Sequence, residues 1–138
     1  RGEVLPGLNA IGTFTYYEMN INKSNEDNVG KMPVQVPNTL TSAWLDYSFR
    51  NLGIPWLRGL GIGGGVRYVG RVFNDEQNTS STPAFTLFDA TLRYEYGPVL
   101  FTLNASNVFN NKYIASTFFN RNYLGTERTV VGTMAFRF

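Results

Sequence analysis

The chain has 138 residues, enough for one domain, with 12 basic and 10 acidic side chains and a net charge of +2. Such a small excess excludes the strongly basic surface of nucleic-acid-binding proteins. Charged residues make up 16% and aromatic residues 15%, an unusual balance, because about 25% of a soluble domain is charged. The sequence lacks Cys and His, which excludes thiol catalysis, structural zinc and a Ser-His-Asp triad. No acid–base or nucleophile constellation stands out either. We therefore expect that the protein is not an enzyme and has no catalytic residue, no protein-bound metal and no cofactor.

Apolar and polar side chains alternate along most of the chain, and this period of two residues predicts β-strands. For example, Ala90 and Leu92 fall on one face of a strand, whereas Asp89, Thr91 and Arg93 fall on the other. In chain order, about six such segments cover residues 8–17, 42–50, 60–71, 85–96, 99–106 and 129–138. Most are longer than the roughly 5 to 6 residues usual in soluble sheets. The prediction is an all-β, antiparallel protein.

The connections between these segments alternate in length. Gly97-Pro98 is a tight turn and Asn51–Arg58 a modest one, whereas Asn20–Asn38, Phe73–Pro83 and Thr117–Gly125 are long, polar loops. Two-faced strands with short turns at one end and long loops at the other are typical of an outer-membrane β-barrel. Two alternatives remain open: a soluble antiparallel module that binds a small molecule and buries its apolar face, and a passive porin subunit.

Six strands are too few to close a membrane barrel, because the smallest barrels have about 8 strands. An open sheet leaves two unpaired edges, which the hydrocarbon core of a membrane does not tolerate. The chain is then either part of a larger barrel or one subunit of an oligomeric barrel. Because it begins with Arg1 rather than Met, we expect a segment of a longer protein.

Two further features concern the wall of such a barrel. Gly59–Gly64 matches the dinucleotide fingerprint, but the strand-forming Val66–Val69 follows it where that motif requires a helix. The glycines are expected instead to let a neighbouring backbone or a plug approach the strand closely, or to permit bending of the strand. Charged residues on the polar faces are expected to pair with opposite charges on facing strands across the wall, or to anchor a plug: Asp46, Arg50, Arg67, Arg71, Asp89, Arg93, Glu95 and Arg137.

The carboxy-terminal third carries a specific motif. Asn104-Ala-Ser-Asn107-Val108-Phe109-Asn110-Asn111-Lys112-Tyr113 is followed by Gly125-Thr126-Glu127-Arg128 and a terminal Phe136-Arg137-Phe138. This pattern resembles the end of TonB-dependent outer-membrane receptors, and most closely the ferric-siderophore receptors of the ferrichrome, or hydroxamate, type. The resemblance implies that residues 1–138 form the carboxy-terminal part of a barrel of about 22 strands. The family's plug domain and TonB-binding segment are absent from this chain.

The same resemblance implies partners and site residues. A ferric siderophore is the expected ligand, its iron held by the siderophore's own oxygens. The other expected partners are outer-membrane lipid, the rest of the barrel with its plug, and the TonB complex through the missing amino-terminal region. Phe118 matches a ligand-contacting aromatic residue of the last loop, and its neighbours Phe119, Arg121 and Tyr123 are candidates to join it. Phe136 and Phe138 resemble the terminal signal that the barrel-assembly machinery recognises.

Overall fold

The computed structural model describes residues 1–119 and 121–138. Seven antiparallel strands form one sheet in the order β1-β2-β3-β4-β7-β8-β11, and the two pairs β5-β6 and β9-β10 form small hairpins. The strands are β1 (Gly2–Leu5), β2 (Leu8–Tyr16), β3 (Thr39–Ser48), β4 (Leu60–Val69), β5 (Val72–Phe73), β6 (Ser81–Thr82), β7 (Phe85–Tyr96), β8 (Val99–Ser106), β9 (Ile114–Phe118), β10 (Arg121–Leu124) and β11 (Thr129–Phe136).

The six predicted strands are present, and the structure adds five short strands and two 3-10 helices. Strand β1 pairs with β2 at one edge of the sheet, and the hairpins β5-β6 and β9-β10 lie inside two of the long loops. Two 3-10 helices, Phe49–Leu52 and Pro55–Leu57, occupy the connection between β3 and β4. Within the part of the chain that the structure describes, no helix has the length and apolar character needed to cross a membrane.

One face of the sheet is apolar. Leu92 of β7 lies opposite Ile62 of β4 and opposite Leu103 of β8, and Phe101 lies opposite Met134 at the other edge. These side chains have no second layer to pack against: among the described residues, Leu87 is the only buried apolar side chain. A soluble sheet of this size requires a core on at least one face, so the apolar face needs an apolar environment from outside this chain.

Aromatic rings border the apolar face at both ends. At the end with the short turns, Tyr47 packs edge-on against Phe49 at 4.8 Å between ring centroids. At the end with the long loops, Phe88 packs edge-on against Phe109 at 5.1 Å. Rings placed at the two margins of an apolar band are typical of membrane barrels, whose aromatic girdles lie at the lipid headgroups.

The other face is polar, and a row of glycines in β4 allows its charges to meet. Gly61, Gly63 and Gly65 lie on this face between β3 and β7. Arg93 of β7 reaches across the row to Asp46 of β3. Its Nη1 and Nη2 atoms each donate to one carboxylate oxygen of Asp46 at 2.5 Å. A Cβ at position 61 would lie 2.6 Å from Arg93 Nε, so a side chain there would block the bridge. The structure thus shows neighbouring side chains, and at Gly65 the backbone of Ala43, in close approach to these glycines.

Strand β4 yields a testable contrast between two adjacent glycines, Gly65 in the row on the polar face and Gly64 on the apolar face. In Gly65→Ala, the new Cβ meets the Trp44 ring and lies 2.7 Å from Ala43 O, so the strands must shift. In Gly64→Ala, on the apolar face, the nearest atom is Asp89 O at 3.7 Å. We expect Gly65→Ala to lower the free energy of unfolding by about 1 to 3 kcal/mol and Gly64→Ala to leave it nearly unchanged, measured by denaturant titration in detergent. Equal losses would contradict this packing.

Candidate functional site

Three long loops leave the same end of the sheet and contact one another. They are the first loop (residues 17–38), the second loop (70–84) and the third loop (107–128). The first and second loops exchange hydrogen bonds: Met32 N–H donates to Asn78 Oδ1 at 2.8 Å, and Asn78 Nδ2 donates back to Met32 O at 3.0 Å. The buried Asn28 donates through Nδ2 to Glu76 Oε2 at 2.8 Å. The two loops therefore form one surface.

The third loop joins that surface through the hairpin β9-β10. Gln35 of the first loop donates through Nε2 to Thr117 O at 2.8 Å and to Asn74 Oδ1 of the second loop at 3.2 Å. The hydroxyls of Thr82 and Thr117 lie 2.8 Å apart, and both residues are buried. We call the set Gln35, Asn74, Thr82, Thr117 and Asn122 the loop junction.

The hairpin β9-β10 presents the predicted ligand residues on one side. Phe118 pairs with Arg121, and Ser116 pairs with Tyr123, so that Phe118, Arg121 and Tyr123 share a face. The side chains of Phe118 and Tyr123 are 60% and 52% exposed. Phe119 follows Phe118 in a left-handed conformation, and the two rings pack edge-on at 4.4 Å. The structure thus brings all four predicted residues together as an exposed aromatic surface with one cation.

The opposite face of the hairpin carries Thr117 and Asn122, which pair with each other in register. Both belong to the loop junction, so one side of the hairpin is attached to the other loops, and the other side carries the exposed Phe118 and Tyr123. Sequence reasoning missed Gln35 and Thr82 as contributors to this surface. No local signal identifies them, because their partner Thr117 lies 82 and 35 positions further along the chain.

The base of the third loop explains the motif that the sequence singles out. The buried Asn107 donates through Nδ2 to Asn111 O at 2.9 Å and to Thr126 O at 3.1 Å, and its Oδ1 accepts from Asn111 N–H at 2.9 Å. Asn110 Oδ1 accepts from Arg128 N–H at 2.8 Å. The two halves of the motif, Asn107–Asn110 and Gly125–Arg128, thus meet and close the loop at its root.

A close packing contact completes this closure. Gly125 lies against the Tyr113 ring with no room for a Cβ, and its N–H donates to Tyr113 O at 2.9 Å. Tyr113 in turn stacks on Phe85 at 4.4 Å between ring centroids. The aromatic residue and the glycine of the motif therefore have a packing role.

Seven of the eight charged residues named from the sequence form ion pairs, although only Arg67–Asp89 joins strands that are neighbours in the sheet. Besides Arg93–Asp46, the pairs are Arg67–Asp89 at 2.9 Å, Arg137–Glu95 at 3.0 Å and Arg50–Glu95 at 3.9 Å. Asp89 also accepts the Asn107 N–H at 3.0 Å, which links the wall to the base of the third loop. Arg71 instead lies over the Phe73 ring, 5.0 Å from its centroid.

The second loop holds a carboxylate by hydrogen bonds alone. Asp75 accepts from the Thr79 hydroxyl, from Ser80 N–H at 2.9 Å and from Thr79 N–H at 3.1 Å. Because these donors favour the charged form, the Thr79 hydroxyl and then the Ser80 N–H hold the pKa of Asp75 below its usual value of 3.8. Among residues 1–119 and 121–138, no group of three acidic side chains is placed to hold a metal ion.

The root of the third loop yields a second prediction. Asn107→Ala removes three side-chain hydrogen bonds at a buried residue with φ of 51°, a conformation that Asn tolerates better than Ala. We expect the third loop to loosen, with a faster rate of proteolytic cleavage within residues 107–128 in intact outer membranes. The control is Asn104→Ala, which loses one exposed bond to Thr91. Equal cleavage rates in the two variants would contradict the role of Asn107.

Comparison with known protein families gives a match over most of the chain. The family model described as TonB dependent receptor-like, beta-barrel matches residues 2–110. The Ferrioxamine B receptor of Salmonella typhimurium is 33% identical over 131 residues, covering 91% of this chain and 18% of the receptor. The Ferrichrome outer membrane transporter/phage receptor of Escherichia coli is 34% identical over 137 residues, covering 95% and 18%. This chain therefore spans about a fifth of the length of these relatives.

Solved structures agree on the fold. The siderophore receptor PiuA from Acinetobacter baumannii superimposes with a TM-score of 0.82 at 23% identity, covering 98% of this chain and 20% of that one. BauA, the ferric preacinetobactin receptor from the same organism, gives 0.81 at 25% identity, covering 96% and 20%. The predicted fold, an antiparallel segment of a larger barrel, is confirmed, and so is the resemblance drawn from the motifs. The predicted ligand residues 118–123 lie beyond the residues that the family model matches.

Proposed function

This chain belongs to the TonB-dependent receptor-like β-barrel family of the bacterial outer membrane, and we propose that it serves in the uptake of ferric siderophores. In this proposal, the seven-stranded sheet is part of the barrel wall and the three long loops are extracellular. The observation that carries it is the exposed hairpin face of Phe118, Arg121 and Tyr123, held among three mutually bonded loops. In membrane barrels, long loops face outward and short turns face the periplasm.

The proposed substrate class is a ferric hydroxamate. Two of the relatives are named for ferrioxamine B and ferrichrome. Aromatic side chains suit such a chelate because they offer a large contact area, and Tyr adds a polar handle. The siderophore's oxygens would hold the iron, so the protein needs no resident cofactor and no metal-ligating side chain. Phe118, Phe119, Arg121 and Tyr123 are the proposed contacts.

The proposed assembly places this chain at the carboxy-terminal end of the barrel. Lipid would cover the apolar face, and the other strands of the receptor would pair with the edges β1 and β11. A plug domain and the TonB contact would be supplied by parts of the receptor outside these 138 residues. The soluble alternative is disfavoured because Leu87 is the only buried apolar side chain among the described residues. A passive porin would lack saturable, high-affinity binding, so a binding measurement separates it from a receptor.

The central test uses the outer-membrane protein that contains this chain, purified in detergent. We expect saturable binding of iron-loaded ferrichrome or ferrioxamine B, and we expect Phe118→Ala to raise the Kd about tenfold or more, equivalent to about 1.4 kcal/mol. Trp56→Ala is the matched control, because Trp56 is 69% exposed at the opposite end of the sheet. Absence of saturable binding by the parent protein would refute the proposal, and equal effects of the two variants would refute the role of Phe118.

A separate experiment tests the placement of the chain and the proposed assembly signal, Phe136 and Phe138. Arg137 N–H donates to Pro98 O at 2.9 Å, so strand pairing continues almost to Phe138. If Phe138 is the terminal signal, Phe138→Ala should lower the amount of folded receptor in the outer membrane, scored by heat-dependent gel mobility. Phe14→Ala, an exposed ring of β2, is the control. Normal assembly of Phe138→Ala would contradict a terminal signal at this position.

A further inference from the structure

The aromatic hairpin face depends on contacts made by its other side. Phe118 and Tyr123 are largely exposed, and each ring can sample alternative positions unless the backbone beneath it is fixed. Thr117, the residue before Phe118, is only 8% exposed and faces the other loops. Its hydroxyl contacts Thr82 of the second loop, and its carbonyl oxygen accepts a hydrogen bond from Gln35 of the first loop. The attachment of the hairpin is therefore concentrated at Thr117.

The second loop supplies the buried half of this attachment. The Thr82 hydroxyl lies 2.9 Å from Asn74 Oδ1 and 2.8 Å from the Thr117 hydroxyl, which in turn lies 2.8 Å from Asn122 Oδ1. These three contacts share two hydroxyl protons. The two hydroxyls bond to each other when Thr117 donates to Thr82 and Thr82 donates to Asn74 Oδ1, or when Thr82 donates to Thr117 and Thr117 donates to Asn122 Oδ1.

Thr82 is well placed to serve as the anchor of this chain of hydrogen bonds. It is 4% exposed, and its backbone pairs with Val72 in the hairpin β5-β6. Removing the partner of a hydroxyl buried to this degree destabilises the fold, because the hydroxyl is left without a hydrogen bond. The bond between Thr82 and Thr117 therefore fixes the position of the third loop relative to the second.

The first loop supplies the other half through Gln35. Its backbone N–H donates to Phe73 O at 2.8 Å, which holds it on the second loop, and its side-chain amide donates to both Thr117 O and Asn74 Oδ1. Gln35 has a φ of 60°, a conformation that is uncommon outside Gly, Asn and Asp. The amide is thus aimed at the same two residues that the Thr82 hydroxyl contacts.

We propose that Thr82 and Gln35 are positioning residues for siderophore capture, which fix the hairpin face of Phe118, Arg121 and Tyr123 through the loop junction. This inference rests on the proposed function and extends it to residues that do not themselves contact the ligand. Binding costs free energy when loops and side chains must be ordered, so a hairpin fixed beforehand binds more tightly than a free one. Loss of the Thr82 hydroxyl should weaken binding through Phe118 rather than through a lost ligand contact.

The test compares Thr82→Val, which removes the hydroxyl and keeps the side-chain shape, with Thr82→Ser, which keeps the hydroxyl. Gln35→Ala is a second, independent variant. It removes the side-chain amide, and the new residue must adopt the same left-handed backbone conformation. Each is made in the complete outer-membrane receptor and titrated with iron-loaded ferrioxamine B. A spin label at Leu124→Cys reports the mobility of the hairpin, because Leu124 is 76% exposed on β10 and is not a proposed ligand contact.

We expect Thr82→Val and Gln35→Ala each to raise the Kd about three- to tenfold and to increase the mobility of the label. Thr82→Ser should leave the Kd and the mobility of the label close to those of the parent receptor. In a Phe118→Ala background, Thr82→Val should have little further effect on the Kd, because coupled residues are not additive.

Several results would overturn the inference. These are an unchanged label in Thr82→Val, a mobilised label with an unchanged Kd, failure of Thr82→Ser to restore binding, and full additivity with Phe118→Ala, which would indicate a direct ligand contact. If the parent receptor binds no ferric hydroxamate, the proposed function fails and siderophore positioning fails with it. If the parent binds and only the variants behave otherwise, the inference about Thr82 and Gln35 fails alone.

Discussion

The seven-stranded sheet separates apolar from charged side chains so completely that neither face is a conventional protein core. Among the described residues, no second layer covers the apolar face, and the edge strands β1 and β11 each pair with a neighbouring strand on one side only. Unpaired backbone groups are costly in hydrocarbon, so a membrane sheet must close on itself. These two requirements, lipid on one face and further strands at both edges, explain why a chain with a single buried apolar residue among those described belongs to a larger barrel.

The polar face is organised by the same separation. Charges that face a barrel lumen are stabilised when they pair, and the pair Arg93–Asp46 joins strands that are not neighbours. Glycines in the intervening strand β4 leave the space that this bridge occupies. Asp89 extends the arrangement to the loops, because it binds Arg67 of the wall and the backbone of Asn107 at the root of the third loop. Asp89 therefore connects the barrel wall to the root of the third loop through an ion pair and a hydrogen bond.

The sequence predicts the local features of this structure well. Strand β7 was predicted with the same bounds, Phe85–Tyr96, because the alternation is unbroken and Gly97-Pro98 ends it. The hairpin β9-β10 was not predicted, since its strands are short and its attachment depends on contacts with distant loops. The partner of Arg93 was equally hidden, because Asp46 lies 47 positions away and across another strand.

For the candidate site, the sequence names candidate ligand contacts but does not indicate what holds them in place. Phe118, Phe119, Arg121 and Tyr123 were named from a family resemblance, and the structure groups them on one exposed hairpin. Their role in binding stays a prediction. Thr82 and Gln35 carry no recognisable motif, because a single hydroxyl or amide acquires a positioning role only when the fold places it beside Thr117.

The separation of the two faces is the central claim, and β7 offers its most direct measurement. Spin labels are introduced one at a time at Asp89, Ala90, Thr91 and Leu92 of the receptor in lipid bilayers, and their accessibility to oxygen and to a water-soluble nickel complex is compared. We expect the label at positions 90 and 92 to be more accessible to oxygen, which concentrates in lipid, and less accessible to the nickel complex than the label at positions 89 and 91. Uniform accessibility, or protection of all four positions, would contradict a lipid-facing barrel wall.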